Sequence, residues 1–480
     1  MSSGPETLQQ KLAHGAMDAT LRRPWRTTKL PFGREKRTDR KGTARGKMGI
    51  SRNTRSVRVQ AQEGRVIGAT ALITGSTVGA GILALPASVV KAGYGPSSAV
   101  LVACWLLLAV EAFLLAEVNV ALREETNAST ERGVESKDDG PTKIVSLTQM
   151  AERTLGSTAS TFVSSAYLFL SYTLLVAYLA KAGELLGDIM HVPPTAAGVA
   201  FAAVMGGSIF VGSDQSTDKV NRVFTGALMV LFLLIGLDAF METHGDLSHL
   251  AYADWSQAPA CVPIAFLALV YHDLIPVVCS YLDGDRDKIR KAVLGGSLIP
   301  LAMFLLWNAA FLSLAPAGMG VDPLDYLGRD GIMSGLLSMF GVLAIATSLI
   351  GTLVSMTEYI ISHVPEDLTL LDKAKEKLRR MGSEVESPNI LRPLAFLAVL
   401  LPPLTVAFTD PDIFLSASAF AGAYGMTTLY GIVPPLMALS LRREKKAEMP
   451  ELVPGGSGLL VGLGLSAFLI AGGQARLDFP

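Results

Sequence analysis

Apolar runs of about 20 residues recur along nearly the whole chain, the length that crosses a bilayer as an α-helix. Short stretches rich in charge, proline and glycine separate them, among them Gly93-Tyr-Gly-Pro96, Pro193-Pro194, Pro316 and Pro454-Gly-Gly456. The pattern predicts eleven spans. The first five lie at 66–90, 97–121, 158–186, 194–212 and 222–241. The next five lie at 257–281, 291–314, 332–361, 392–409 and 413–440, and the last at 456–474. The expected fold class is an all-α polytopic membrane protein.

Two of the predicted spans carry interruptions. In the first, Thr74-Gly-Ser-Thr-Val-Gly-Ala-Gly-Ile-Leu-Ala-Leu-Pro86 places Gly75, Gly79 and Gly81 beside Ser76 and Thr77. Glycine is the poorest helix former after proline, so this stretch predicts a break. A break at membrane depth is tolerated only where the freed backbone is buried in protein or lines a cavity. In the sixth, Leu269-Val-Tyr-His-Asp-Leu-Ile-Pro276 sets His272 and Asp273 in an apolar segment just ahead of a proline. Ionisable groups there are costly and point to function, with a His272 bond to a backbone carbonyl across the bundle and an inner-end position for Asp273 as the structural alternatives, and Pro276 removes a backbone donor.

The two breaks occupy corresponding positions of two five-span halves, the arrangement expected of an inverted-repeat transporter with its site at the bilayer midplane. Helix ends at the breaks offer amides to an anionic group and carbonyls to an ammonium. An amino acid carries both. The candidate substrate-binding residues are therefore Gly75, Ser76, Thr77, Gly79, Ala80, Gly81, Val270, Tyr271 and His272.

Composition narrows the class. Of 480 residues, 50% are hydrophobic and 17% charged, below the roughly 25% charged share of soluble domains. The net charge of −1 conceals a basic leader: residues 1–60 hold 15 Lys and Arg against Glu6, Asp18, Glu35 and Asp39. With Ser and Thr but no long apolar core, the leader reads as a plastid transit peptide rather than a secretory signal, and a nucleic-acid arm is less favoured. Val57-Arg-Val-Gln-Ala61 resembles a chloroplast processing site, which points to the chloroplast inner envelope. Residues 61–480 form the expected transporter domain. Loops on the leader side hold 21 Lys and Arg against 4 on the other, which puts the N-terminus on the inner face. The basic amphipathic stretch Leu368–Arg380 is expected to be a helix on the inner leaflet.

Several motifs resemble the tryptophan/tyrosine permease family of the amino acid–polyamine–cation superfamily. Gly75–Pro86 is similar to that family's first-span signature, Glu117-Val-Asn119 to the end of its second span, and Tyr271-His272 with Ile275-Pro276 to its sixth. Gly296-Ser-Leu-Ile-Pro300 with Leu306-Trp307 resembles the seventh span, and Ala344-Ile-Ala-Thr-Ser-Leu-Ile-Gly351 the eighth. The resemblance implies eleven spans, a five-plus-five inverted repeat with broken first and sixth helices, and proton-coupled uptake of tyrosine or tryptophan. Two positions depart from it: Val270 stands where the family often has Gly, and Asp273 is an unusual neighbour for His272.

Other polar positions complete the expectation. His272, Glu111 and Asp273 are candidates for proton coupling. Glu117, near the inner end of its span, reads as solvated or capping. Thr347, Ser348 and Thr352 either serve the central site, where a sodium ion is conceivable, or back-bond within their helix. Tyr167, Tyr172 and Tyr178 are packing residues or substrate contacts. Cys104, Cys261 and Cys279 have no ligand spacing and read as small buried hydrophobes. No His-Glu-x-x-His and no Ser or Cys partner for the His-Asp pair argues for a membrane-embedded enzyme, and no filter-like loop for a channel. Amino acid, proton and lipid bilayer are the expected partners, with no cofactor and no metal. Other neutral amino acids and sodium coupling remain alternatives.

Overall fold

The computed structural model describes residues 65–131, 144–211, 214–243, 247–314, 331–363, 388–410, 412–444 and 451–478. The basic leader 1–60 and the Leu368–Arg380 stretch lie outside the described residues. Helices dominate, and there are no strands among the described residues.

Among the described residues, eight helices are long and apolar enough to cross a membrane. They are Tyr94–Thr126, Ser157–Met190, Lys219–Glu242, Trp255–Tyr281, Arg286–Leu314, Met333–His363, Arg392–Thr409 and Gly456–Arg476. A ninth forms if the bent pair Arg65–Thr77 and Gly81–Val89 is counted as one span. Pro194–Ile209 is apolar but shorter. The segment expected as the tenth span runs continuously as α-helix Phe414–Phe420, π-helix Ala421–Ile432 and α-helix Val433–Glu444.

Both predicted breaks are present. The first span bends by 57° between Thr77 and Gly81. In the sixth, helix Val262–Leu269 stops at Val270, whose backbone is extended (φ −77°, ψ 139°). A short 3₁₀ turn over His272–Leu274 follows, and helix Ile275–Tyr281 resumes with Pro276 in its first turn. Proline is well placed there because the first turn has no intrahelical use for its missing N–H.

Burial separates central spans from peripheral ones. The most apolar stretch of Trp255–Tyr281 is 83% buried, against 11% in Gly456–Arg476 and 28% in Lys219–Glu242. The sixth span is therefore the axis of the bundle, and the last is a lipid-facing edge. Val230, Leu233 and Leu237, all exposed, give the Lys219–Glu242 helix an apolar outer face suited to lipid. Around the axis, Val262–Leu269 packs against Gly81–Val89, Tyr94–Glu131 and the π-helix. Contact with the π-helix is very close: a Cβ on Gly422 would stand 1.9 Å from the Pro263 carbonyl oxygen. Small residues permit such backbone approach, on which helix packing in lipid depends.

A short helix, Leu147–Leu155, precedes the third long span and was not expected. Its start is set by a capping box in which Ser146 and Gln149 satisfy each other's backbone amides.

Candidate functional site

The fold brings the two breaks side by side. Gly81 packs so closely on the sixth span that an added Cβ would lie 3.0 Å from Ala268 Cα. Ala268 stands just ahead of the extended Val270. From the other side, the Ala80 amide donates to Ser348 Oγ at 3.0 Å, which ties the first break to helix Gly331–His363. Tyr178, on Ser157–Met190, interacts with the same Ser348 side chain. Backbone from both interrupted spans, flanked by a serine and a tyrosine, thus converges on one place.

Not all of the expected binding residues converge there. Gly79 and Gly81 are half-buried at the break, whereas Ala80 is fully packed. Thr77 is buried and its Oγ1 donates to Ile73 O at 2.8 Å, within its own helix. Ser76 Oγ does the same at 3.2 Å, although the residue is exposed. Gly75 lies against the Thr225 side chain, a turn away from the bend. The hydroxyls of Thr347 and Thr352 also bond to carbonyls of their own helix, Ala344 O and Ser348 O. Ser348 alone of these three reaches across to the first span.

In the sixth break, Val270 is half-buried, and Tyr271 and His272 are fully buried. His272 Nε2 lies 2.9 Å from Leu108 O on helix Tyr94–Glu131. Its ring sits between Tyr271 (centroids 5.0 Å apart) and Tyr430 (5.1 Å). His272 Nδ1, the Tyr271 hydroxyl and both carboxylate oxygens of Glu111 are buried with no hydrogen-bond partner among the described residues. Glu111 follows Leu108 by one helical turn, so His272 and Glu111 meet the same stretch of that helix. Asp273 is set apart from them. It is exposed, with Tyr167, Tyr178 and Tyr430 within electrostatic reach.

Glu117 is neither solvated nor a helix cap. It accepts from Arg442 Nε at 2.7 Å and Nη2 at 2.8 Å, and from the Leu452 amide at 2.8 Å. Arg442 also donates to Val453 O, and Arg290 to Leu452 O, so three spans are clamped at one end of the bundle. Arg65 pairs with Asp283 and lies 5.8 Å above the Tyr281 ring, joining the start of the first broken span to the end of the sixth. All three cysteines are free and buried, as expected of small hydrophobes.

Tyr430 and Arg442 escaped the sequence reading as parts of this arrangement, whereas Ser348 was among the hydroxyls it offered to the central site. For Tyr430 a signal existed: Gly422, Gly425 and Gly431 crowd its span much as glycines crowd the first. The π-helix there lets Thr427 Oγ1 donate to Gly422 O, five residues back, at 2.8 Å. π-Helical segments are rare and often mark functional sites.

Tyrosine-specific transport system 1 of Haemophilus influenzae is 26% identical over 408 residues, covering 83% of this chain and 93% of that protein. A tryptophan-specific transport protein of Pseudomonas aeruginosa is 24% identical over 404 residues, covering 79% and 87%. The solved structure of MhsT in complex with L-phenylalanine shares the fold, with a TM-score of 0.56 at 14% identity over 84% of this chain and 96% of MhsT. The sequence pattern of the tryptophan/tyrosine permease family matches residues 62–471, and the chain belongs to that family.

Proposed function

We propose that the protein is a secondary active transporter that moves tyrosine or tryptophan across a membrane by proton symport and alternating access. The single observation that carries this reading is the convergence of the two breaks, with Gly81 against Ala268 and the Ala80 amide on Ser348. Family membership supports an amino acid as cargo, and the relatives named above are tyrosine- and tryptophan-specific.

In this account the substrate carboxylate meets amides along Ser76–Gly81 and its ammonium meets carbonyls near Tyr271. The ring lies along the sixth span. The proton route uses Glu111 and His272, two buried groups with unpartnered atoms on either side of Leu108. Protonation removes the cost of a bare carboxylate in the membrane interior, so a proton on Glu111 favours the conformation that buries it. Sodium coupling is the weaker alternative, because Thr347 and Thr352 spend their hydroxyls on their own helix.

The architecture that accompanies this mechanism is eleven spans, the first ten in two inverted five-span repeats. The basic leader 1–60 is assigned to import into a plastid, with the mature protein in the inner envelope and the leader side inward. Import into isolated chloroplasts, followed by N-terminal sequencing of the product, tests that assignment.

The experiment for the main proposal is uptake of labelled tyrosine, tryptophan and leucine into proteoliposomes under an imposed pH gradient, a sodium gradient, or neither. Accumulation of tyrosine or tryptophan driven by the pH gradient is the expected result. Accumulation driven by sodium alone, or leucine taken up in preference to both, contradicts it.

A further inference from the structure

One group in the centre of the bundle has no part in the proton route. From Pro263 to Cys279 the sixth span is buried at nearly every position, and Asp273 is its one exposed residue. Tyr271, His272 and Leu274 on either side are closed off. Its exposure sets Asp273 apart from the rest of the most buried span of the bundle, and an ionisable group in a span points to function.

The surroundings of that carboxylate are aromatic. The ring of His272, its neighbour in the chain, lies 5.1 Å from Tyr430 of the π-helix, and Tyr167 and Tyr178 of helix Ser157–Met190 are within electrostatic reach. No ion pair among the described residues includes it. Asp273 follows the extended Val270 by three residues, in the same break whose Ala268 packs against Gly81 of the first span. An ionised carboxylate is a pure acceptor. The break already supplies backbone partners for the two charged groups common to every amino acid. What remains for Asp273 is the end of the substrate that varies.

We propose that Asp273 is the specificity-determining residue of the side-chain subsite. It accepts a hydrogen bond from the ring O–H or N–H of an aromatic amino acid and so separates tyrosine and tryptophan from phenylalanine. The inference rests on the aromatic-transport reading above. Tyrosine rings supply flat walls for the substrate ring. A donor on that ring forms a charge-assisted bond to the carboxylate. The carboxylate already accepts from the Asp273 and Leu274 amides, and phenylalanine fits the same walls but offers no donor to its remaining lone pairs. That asymmetry is how sites built around one hydroxyl reject the analogue lacking it.

The test is equilibrium binding to the purified full-length protein without a pH gradient, using labelled tyrosine and labelled phenylalanine, with unlabelled tryptophan and lysine as competitors. For the wild type, tyrosine is expected to bind at least about tenfold more tightly than phenylalanine. In Asp273→Leu that ratio falls toward one because tyrosine weakens while phenylalanine holds or improves. Asp273→Asn, which keeps one carbonyl acceptor, falls between. Retained phenylalanine binding also shows that the variant is folded. An unchanged ratio in both variants overturns the proposal. So does equal loss of both ligands in a variant that elutes and melts like the wild type, or lysine outcompeting tyrosine on the wild type. A wild type that binds no aromatic amino acid fails the transport reading itself, a result distinct from any of these.

Discussion

The backbone amide of Ala80 donates to the Ser348 hydroxyl at 3.0 Å, although 268 residues separate them in sequence. The bond links the bend of the first span to helix Gly331–His363 and shapes one wall of the central site. Ser348→Ala removes the acceptor but leaves the backbone path intact. The expected cost is about 1 kcal/mol of stability, the net worth of one neutral hydrogen bond. Substrate affinity should fall by more than that loss explains, read by binding alongside thermal melting. Gly79→Leu is more severe, since even a Cβ there would sit 2.7 Å from Ser348 Oγ. It should abolish binding.

His272 is expected to separate coupling from binding. In His272→Ala, accumulation driven by a pH gradient should collapse to the level without a gradient. Exchange of labelled for unlabelled tyrosine should persist, because the shared amino acid end is held by the breaks. Uptake and exchange measured on one proteoliposome preparation check this. Gradient-driven accumulation at wild-type level removes His272 from the proton route.

The Glu117–Arg442 pair predicts a stability effect rather than a transport defect of equal size. Glu117 is 2% exposed and accepts three hydrogen bonds. Removing one partner of a buried pair strands the other, at about 3–5 kcal/mol. Arg442→Ala should therefore lower the melting temperature more than Glu117→Gln, which keeps an acceptor for the Leu452 amide. The double variant should cost less than the sum of the singles, a coupling that a double-mutant cycle measures.

Gly422 predicts a purely steric outcome. A methyl group placed 1.9 Å from the Pro263 carbonyl oxygen forces the π-helix away from the sixth span. Overpacking of this kind costs about 1–3 kcal/mol or more. Gly422→Ala should lower the melting temperature, whereas Gly226→Ala, with nothing near its Cβ, should leave it unchanged.

Much of the fold was legible because the bilayer imposes a simple rule on apolar length. Spans such as 257–281 and 392–409 fall within a few residues of the helices Trp255–Tyr281 and Arg392–Thr409. Both breaks were legible because glycine clusters and Pro276 act locally. The π-helix was not, since Gly422, Gly425 and Gly431 mark close packing, at Gly422 on Pro263, without marking a change of hydrogen-bond register. Nor was the Arg442–Glu117 pair, whose members lie 325 residues apart. Ser76 and Thr77 show the limit at the site. Their type suited a binding role, but their hydroxyls are committed to Ile73 O, a choice set by helix geometry.

The central claim is that the two breaks form one substrate site, and cysteine protection tests it most directly. Cys104, Cys261 and Cys279 are all buried, so background labelling is low. Ser76→Cys and Val270→Cys place one thiol near each break, at an exposed and a half-buried position. Saturating tyrosine or tryptophan should slow maleimide labelling at both positions in the same transport-competent protein. Labelling unaffected at both, while uptake of the same amino acid continues, would contradict the account.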